Sequence, residues 1–199
     1  MQTVHNVKGL KQAVSSREMR LFEKKEFLKK KSYFFMKNAG KQVFNLIKKN
    51  FKSKQPIIVL CGPGNNGGDG FITAKYLVDH GYETEVYVLL NKKSYKGDAL
   101  KALNEYGGKI KKIPSFRIKK NALIVDAIFG IGLSRNIKGK LKKIFNQINK
   151  SNNRVVSVDI PSGVCSNTGK ILGSAIKADF TVTFHRKKVG HVLAPGKKF

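Results

Sequence analysis

The residues best suited to chemistry lie in three short segments, each of which directly follows an apolar run. Residues 61–70 read CGPGNNGGDG, residues 126–136 read DAIFGIGLSRN, and residues 159–163 read DIPSG. The chain has only 12 acidic residues, and Asp69, Asp126 and Asp159 all lie in these segments. Because the chain places scarce carboxylates after buried-looking strands, we expect those carboxylates to have a function there.

The first segment lies between an apolar run, residues 57–60, and a helical pattern that begins near residue 69. A strand, a glycine-rich turn and a helix start leave backbone N–H groups free to bind a phosphate. Asp69 is predicted either to cap that helix or to contact the ligand. The segment lacks the Gly-Lys-Ser/Thr of a P-loop, which excludes that kind of nucleotide site. The next strand ends in Asn91 to Lys93 and lacks the acid that binds the ribose in a dehydrogenase, which argues against a dehydrogenase.

Oxygen-bearing side chains recur across the three segments and predict a cation site. Asn66 offers an amide oxygen, Asp126 a carboxylate and Ser162 a hydroxyl. Oxygen ligands without His or Cys suit an alkali or alkaline-earth ion rather than zinc. The alternative is that these groups hydrogen-bond to one another without a metal.

The loop from Gly130 to Asn136 contains two glycines and one arginine, Arg135, which could bind a ligand phosphate through a bidentate fork. A solvated surface arginine is the alternative. The four histidines show no metal-ligand spacing; His80 is predicted to have no catalytic role, and His185 and His191, beside a lysine-rich turn, are left unassigned. The only two cysteines are 104 positions apart, which favours a reduced, cytoplasmic setting.

Length and composition predict one domain with a substantial core, since 199 residues include 41% apolar residues. No apolar run is long enough for a membrane span. The net charge of +28 indicates either binding of nucleic acid or another anionic surface, or a lysine bias on solvated faces. We favour the second interpretation because arginine, the usual reader of phosphates and bases, is scarce.

Hydrophobic periodicity predicts a three-layer α/β/α, Rossmann-like domain with a mostly parallel sheet and two leading helices. Residues 1–14 are predicted to be a flexible lead-in, and residues 15–199 to form the domain. The predicted helices cover residues 17–30, 33–50, 69–80, 95–106 and 138–150, and the predicted strands cover residues 57–61, 83–90, 122–128, 154–159 and 179–184. Ligands bind such sheets beyond the carboxyl ends of the strands, where the three segments are expected to meet.

Five ordered blocks together resemble the N-terminal YjeF domain, the family of NAD(P)H-hydrate epimerases. They are SREMR at residues 16–20, MKNAG at 36–40, GPGNNGGDG at 62–70, VDAIFGIGL at 125–133 and VDIPSG at 158–163. Two features depart from the family pattern: Lys37 replaces a frequent Glu, and the chain stops at Phe199, where relatives usually continue into another strand. We therefore expect either a C-terminally truncated domain or a fragment of a longer, bifunctional protein.

The resemblance implies an isomerase that interconverts the R and S forms of hydrated NADH and NADPH (NADHX and NADPHX), as part of nicotinamide nucleotide repair. It also implies a homodimer, a potassium ion and a separate or fused NAD(P)HX dehydratase. The potassium ligands it implies are Asn66, Asp126 and Ser162. The substrate contacts it implies are Asn65, Asn66, Gly67, Gly68, Asp69, Gly130, Ile131, Gly132, Leu133, Ser134, Arg135, Asn136 and Asp159.

Asp159 is our candidate catalytic acid and base, since one carboxylate serves both directions of proton transfer if its pKa lies near the operating pH. The rival hypothesis is a non-catalytic module of the same fold that binds RNA and dimerises. Such a module has no need for Asn66, Asp126 and Ser162 together, and all three are present. The epimerase is therefore the preferred interpretation, and nucleic acid is not the expected partner.

Overall fold

The computed structural model describes residues 13–51 and 55–199 of the chain. None of the helices within them combines the length and the apolar character needed to cross a lipid bilayer. The described part forms five α-helices and six β-strands in the order α1 (Ser16–Phe27), α2 (Ser32–Asn50), β1 (Ile57–Cys61), α3 (Asn65–Asp79), β2 (Thr84–Val88), α4 (Gly97–Tyr106), β3 (Ile110–Lys112), β4 (Leu123–Ala127), α5 (Gly139–Lys150), β5 (Val155–Val158) and β6 (Phe180–Val182).

The six strands form one sheet in the order β3-β2-β1-β4-β5-β6, and every neighbouring pair is parallel. The strand order reverses between β1 and β4, which pair directly, with Leu60 opposite Asp126. A crevice forms at such a reversal because the following connections leave on opposite faces of the sheet. This topology confirms the Rossmann-like fold and brings the ends of β1, β4 and β5 to one edge.

The core consists of two apolar layers, one on each face of the sheet. Along the fully buried β1, Ile57, Val59 and Cys61 pack into the layer beneath α2, α3 and α4, whereas Ile58 and Leu60 pack into the layer beneath α5. Burial on both faces explains why the strand is a continuous apolar run rather than an alternating pattern. The three-layer arrangement thus follows from the composition of the central strands.

One predicted boundary is wrong and one strand was not predicted, each for an identifiable reason. Helix α3 begins at Asn65 with Gly64 as its N-cap, so Asp69 lies in the second helical turn and does not cap the helix. The low helix propensity of the glycines hid this first turn, but close packing overrides propensity there. The prediction also missed β3, a three-residue strand with two exposed lysines that shows no apolar pattern.

Helix α1 is attached to the domain by specific contacts at its start. Ser15 and Glu18 form a capping box, and Asn167 Oδ1 accepts hydrogen bonds from the backbone N–H of Ser16 at 2.7 Å and from its hydroxyl at 2.8 Å. Just before the helix, Val14 forms a parallel bridge with Lys188. Val14, which was predicted to belong to the flexible lead-in, is therefore paired with the domain. Residues 1–12 of the predicted lead-in lie outside the described residues.

The first turn of α3 approaches the end of β1 so closely that it leaves no room for a side chain. A Cβ atom on Gly67 would lie 1.8 Å from the carbonyl oxygen of Gly62, and a Cβ on Gly62 would lie 1.8 Å from the carbonyl oxygen of Ile128. Both obstacles are backbone atoms, which cannot rotate away. Glycine at these two positions therefore brings the turn after β1 against the end of β4.

We expect Gly67→Ala to lower the free energy of unfolding by about 1–3 kcal/mol, because the added methyl forces the backbone to shift. The control is Gly132→Ala, where nothing lies within 4 Å of the added Cβ and a change within about 0.5 kcal/mol is expected. Urea denaturation followed by circular dichroism measures both. A stabilised Gly67→Ala protein, as helix propensity alone predicts, would contradict the close approach.

Candidate functional site

A cleft of about 370 Å³ opens at the carboxyl edge of the sheet, at the reversal between β1 and β4. Its walls come from α1, the start of α3, the loop after β4, the residue after β5 and the segment after β6. A smaller cavity of about 230 Å³ beside β6 contains none of the predicted site residues. The residues lining the larger cleft are Met19, Arg20, Glu23, Pro63, Gly64, Asn65, Asn66, Asp69, Ile128, Phe129, Gly130, Ile131, Gly132, Leu133, Asp159, Phe184 and Lys188.

The structure brings most of the predicted site residues to this cleft, but not all of them. Gly67 and Gly68 are buried within α3, where they allow close packing rather than line the cleft. Ser134, Arg135 and Asn136 are exposed farther along the loop, outside the cleft lining. Their contact with a ligand stays a prediction. The predicted substrate residues that do line the cleft are Asn65, Asn66, Asp69, Gly130, Ile131, Gly132, Leu133 and Asp159.

Asp126 and Ser162 form a fully buried hydrogen-bonded pair between the end of β4 and the segment after β5. The Ser162 hydroxyl donates to Asp126 Oδ1 at 2.6 Å, and the Ser162 N–H donates to Oδ2 at 2.8 Å. Ser157 adds a third hydrogen bond, from its hydroxyl to Oδ2 at 3.0 Å. Burial raises the pKa of Asp126, while these hydrogen bonds oppose that rise. Two of the three predicted cation ligands therefore contact each other directly.

Asn66, the third predicted cation ligand, differs because its buried amide is unsatisfied. Neither Nδ2 nor Oδ1 of Asn66 has a hydrogen-bond partner, although both atoms are buried. An unpaired buried amide costs about 1–3 kcal/mol, so such a group indicates a missing partner. Gly130 faces this amide, since a Cβ there would lie 3.3 Å from Asn66 Oδ1. Across residues 13–51 and 55–199, no group of three or more His, Cys, Asp or Glu is arranged to hold a metal.

Asp159 occupies an unusual backbone conformation at the end of β5. Its φ is +67°, in the left-handed region that residues other than glycine seldom adopt. Its N–H donates to the carbonyl oxygen of Val182 at 2.7 Å, which fixes this conformation against β6. Strain of this kind persists only where surrounding contacts enforce it, and it is concentrated at functional sites.

The side chain of Asp159 is paired with Lys188, a residue that the sequence interpretation missed. Lys188 Nζ donates to Asp159 Oδ1 in a buried ion pair, and the Thr183 hydroxyl lies 3.4 Å from the same oxygen. Only 1% of Lys188 is exposed. Lys188 follows Arg186 and Lys187 in a basic run, so nothing in the sequence distinguished it from solvated lysines.

His191 supports both members of this pair. Its Nδ1 accepts a hydrogen bond from the Lys188 N–H at 2.9 Å, so its proton lies on Nε2, which donates to the Asp159 carbonyl at 2.9 Å. Burial, followed by the charge of Lys188, lowers the pKa of His191 to about 4. The imidazole is therefore neutral at physiological pH.

Two further carboxyl groups face the cleft. Burial raises the pKa of Asp69 well above its usual value, and the negative charges of Asp159 and Glu23 add to that rise. Burial also raises the pKa of Glu23, which reaches the cleft from α1. The cleft thus combines two carboxyl groups whose pKa is raised by burial with a carboxylate paired to a lysine, which is a suitable environment for proton transfer.

The neutral state of His191 predicts a pH dependence of stability. Between about pH 4 and the ordinary histidine pKa of 6.5, the unfolded chain binds a proton at this site that the folded protein does not. The free energy of unfolding should therefore fall as the pH decreases through this window, by at most about 3 kcal/mol from this group. His191→Gln should remove this contribution, as measured by urea denaturation at pH 7.0 and 4.5.

The control is His80→Gln, which makes the same change at an exposed position and should keep the wild-type difference between the two pH values. Carboxyl groups also titrate in this range, so the informative quantity is the change relative to the wild type. An identical pH dependence in the wild type and His191→Gln would show that folding does not lower the pKa of His191.

Comparison with known proteins gives consistent matches. The family model described as YjeF-related protein N-terminus matches residues 32–190. An NAD(P)H-hydrate epimerase of Lentilactobacillus buchneri is 34% identical over 173 residues, which cover 84% of this chain and 80% of that protein. A bifunctional NAD(P)H-hydrate repair enzyme Nnr of Thermofilum pendens is 37% identical over 181 residues, which cover 83% of this chain and 34% of that protein.

The fold is also found in a solved structure. The crystal structure of yeast ynu0, YNL200c, matches with a TM-score of 0.72 at 25% identity, covering 91% of this chain and 83% of that one. The chain spans about a third of the length of the bifunctional relatives it matches. The extent of the family match and the similarity to a relative of comparable length lead to one conclusion: the chain belongs to the family of YjeF-related protein N-termini.

Proposed function

We propose that this protein is an NAD(P)H-hydrate epimerase, an isomerase that interconverts the R and S forms of NADHX and NADPHX. The observation that carries the proposal is that Asn66 and Asp159, from distant segments, line one crevice of a Rossmann-like sheet, while the buried pair of Asp126 and Ser162 holds Phe129 of the same lining. Family membership supports it, since matched relatives of comparable length are named NAD(P)H-hydrate epimerases.

The start of α3 is suited to bind the nucleotide pyrophosphate. No side chain caps this helix, so the N–H groups of its first turn are available to a ligand beside Gly64 and Asn65. The helix dipole adds a partial positive charge there. These groups would hold the substrate in position rather than take part in bond changes.

The carboxyl group of Asp159 is the proposed proton carrier. In the hydrated nicotinamide ring, C6 bears a hydroxyl beside the ring nitrogen. In its protonated form, the carboxyl group of Asp159 donates this proton to the hydroxyl, which leaves as water while the nitrogen electron pair forms a planar iminium. Water then adds to the opposite face and returns a proton to the carboxylate, so that the configuration at C6 is inverted and no net proton is consumed.

Potassium is the proposed cofactor, and the residues present fit it. Asn66, Asp126 and Ser162 would hold the ion through oxygen atoms, the ligands that hard cations prefer. The unpartnered buried amide of Asn66 supports this assignment, because a cation would satisfy its oxygen. When bound, the ion would supply a fixed positive charge beneath the cleft, next to the buried carboxylate of Asp126.

The alternative, an RNA-binding and dimerising module without catalysis, rests on the net charge of +28. It accounts neither for the paired Asp159 and Lys188 nor for the unsatisfied amide of Asn66. The names of the matched relatives also favour the epimerase. We further propose that the protein is a homodimer, is cytoplasmic and cooperates with an NAD(P)HX dehydratase. We interpret the second activity of the bifunctional relatives as this dehydratase.

We expect the purified protein to convert R-NADHX to the S form well above the uncatalysed rate, as followed by chromatographic separation of the two epimers. Asp159→Asn should lower kcat by about 10²–10⁴-fold because it removes the proton carrier. Binding of R-NADHX, measured by calorimetry, should persist. The matched control is Asp79→Asn, at an exposed ion pair with Lys75, which should retain wild-type kcat.

An inactive wild-type protein would contradict the epimerase proposal, and full activity of Asp159→Asn would contradict only the role of Asp159. RNA binding is measured in parallel as a function of salt concentration. A steep salt dependence of RNA binding by a protein without epimerase activity would favour the alternative.

Potassium should raise the thermal midpoint, because a ligand that binds only the folded state stabilises it. Thermal unfolding is compared in potassium chloride and in choline chloride of equal ionic strength, which separates a specific ion from general screening. For a chain of this size each kcal/mol of binding corresponds to about 2–4 °C. Asn66→Ala should abolish the difference between the salts; an equal difference in that variant would contradict the proposed ligand set.

A further inference from the structure

Lys188 is the most deeply buried basic side chain among the described residues, and its ammonium is fully hydrogen-bonded. In addition to the ion pair with Asp159, Nζ donates to the Thr183 hydroxyl at 2.9 Å and to the carbonyl oxygen of Phe184 at 3.2 Å. These three acceptors use all three donors of the ammonium group. The direction of the Lys188 side chain is therefore determined, and with it the position of the carboxylate oxygen that it contacts.

The backbone around Lys188 is also held from several sides. Val14 donates its N–H to the carbonyl oxygen of Lys187 at 2.9 Å and accepts from the N–H of Val189 at 3.1 Å. The N–H of Lys188 donates to His191, whose other ring nitrogen donates to the backbone of Asp159. The strand segment before α1, the turn after β6 and the end of β5 thus meet at this residue.

A purely stabilising role explains these contacts poorly. Taking an ammonium and a carboxylate out of water costs free energy that their attraction often fails to repay, and an apolar pair of similar size is frequently as stable. Lys188 and Asp159 also line the cleft itself rather than the core. Orienting a reacting group explains a charged pair in the cleft better than a purely stabilising role does.

We propose that Lys188 is a positioning residue that holds the Asp159 carboxylate in the orientation needed for proton transfer to the substrate. The inference rests on the proposed epimerase function and deepens it. Lys188 acts here through Asp159, because its own three donors are already occupied. Removing it should therefore affect the chemical step more than substrate binding.

The test compares Lys188→Met, which keeps the length and removes the charge, with Lys188→Arg, which keeps the charge. We expect Lys188→Met to lower kcat about 100-fold, the size of effect expected from misplacing a catalytic group, with KM changed by less than about threefold. Lys188→Arg should give an intermediate kcat. Lys143→Met, a change at an exposed lysine of α5, should match the wild type.

A double-mutant comparison distinguishes positioning from an independent role. In an Asp159→Asn background, Lys188→Met should cause no further loss of kcat, since the group that it positions is already absent. An additional loss as large as in the wild-type background would overturn the proposal. So would wild-type kcat in Lys188→Met, or a raised KM with unchanged kcat. If Lys188→Met does not fold, the same comparisons are made with Lys188→Arg.

A readout independent of activity separates this inference from the proposed function. The urea midpoint should fall in Lys188→Met, and this fall should be much smaller in the Asp159→Asn background, because the buried carboxylate no longer lacks a partner. Equal falls in both backgrounds would overturn the pairing itself. If the wild type is inactive but the urea midpoints show the expected coupling between Lys188 and Asp159, the pairing stands and the epimerase function is refuted. The catalytic purpose of the pair is then refuted as well.

Discussion

The hydrogen bonds between Asp126 and Ser162 are the interaction on which the candidate site depends. They join the end of β4 to the segment after β5 inside the protein, where both carboxylate oxygens accept from Ser162. The Ser162 hydroxyl in turn accepts from the N–H of Phe129 at 2.9 Å, at the start of the loop that lines the cleft. Because a buried carboxylate must be satisfied by its surroundings, this pairing determines where the two loops run.

The close approach of backbone segments complements this polar connection. Gly67 allows the first turn of α3 to lie against Gly62, and Gly62 allows the turn after β1 to lie against Ile128 beyond the end of β4. In this packing the Asn66 amide faces Gly130. The Asn66 amide is buried without a hydrogen-bond partner, whereas the carboxylate of Asp126 and the hydroxyl of Ser162 are hydrogen-bonded to each other. The cleft is thus lined by Asn66, whose amide lacks a hydrogen-bond partner, and by the ion pair of Asp159 and Lys188.

Apolar runs such as residues 57–61 predicted the central strands well, because strands covered on both faces are apolar throughout. The edge strand β3 was missed because its exposed lysines carry no such pattern. The start of α3 was placed too late because glycines disfavour helices in isolation, and only packing against β1 compensates for that preference.

The sequence by itself determined the fold class, the family and the segments that supply the cleft, since these depend on local periodicity and on ordered motifs. Only the tertiary structure identified Lys188, Glu23 and His191 as neighbours of Asp159. Lys188 lies in a basic run and Glu23 on an amphipathic helix, so their residue types suggest solvated surfaces. The burial of Lys188, its pairing with Asp159 and the position of Glu23 in the cleft arise from contacts between segments far apart in the chain, and local sequence patterns carry no record of such contacts.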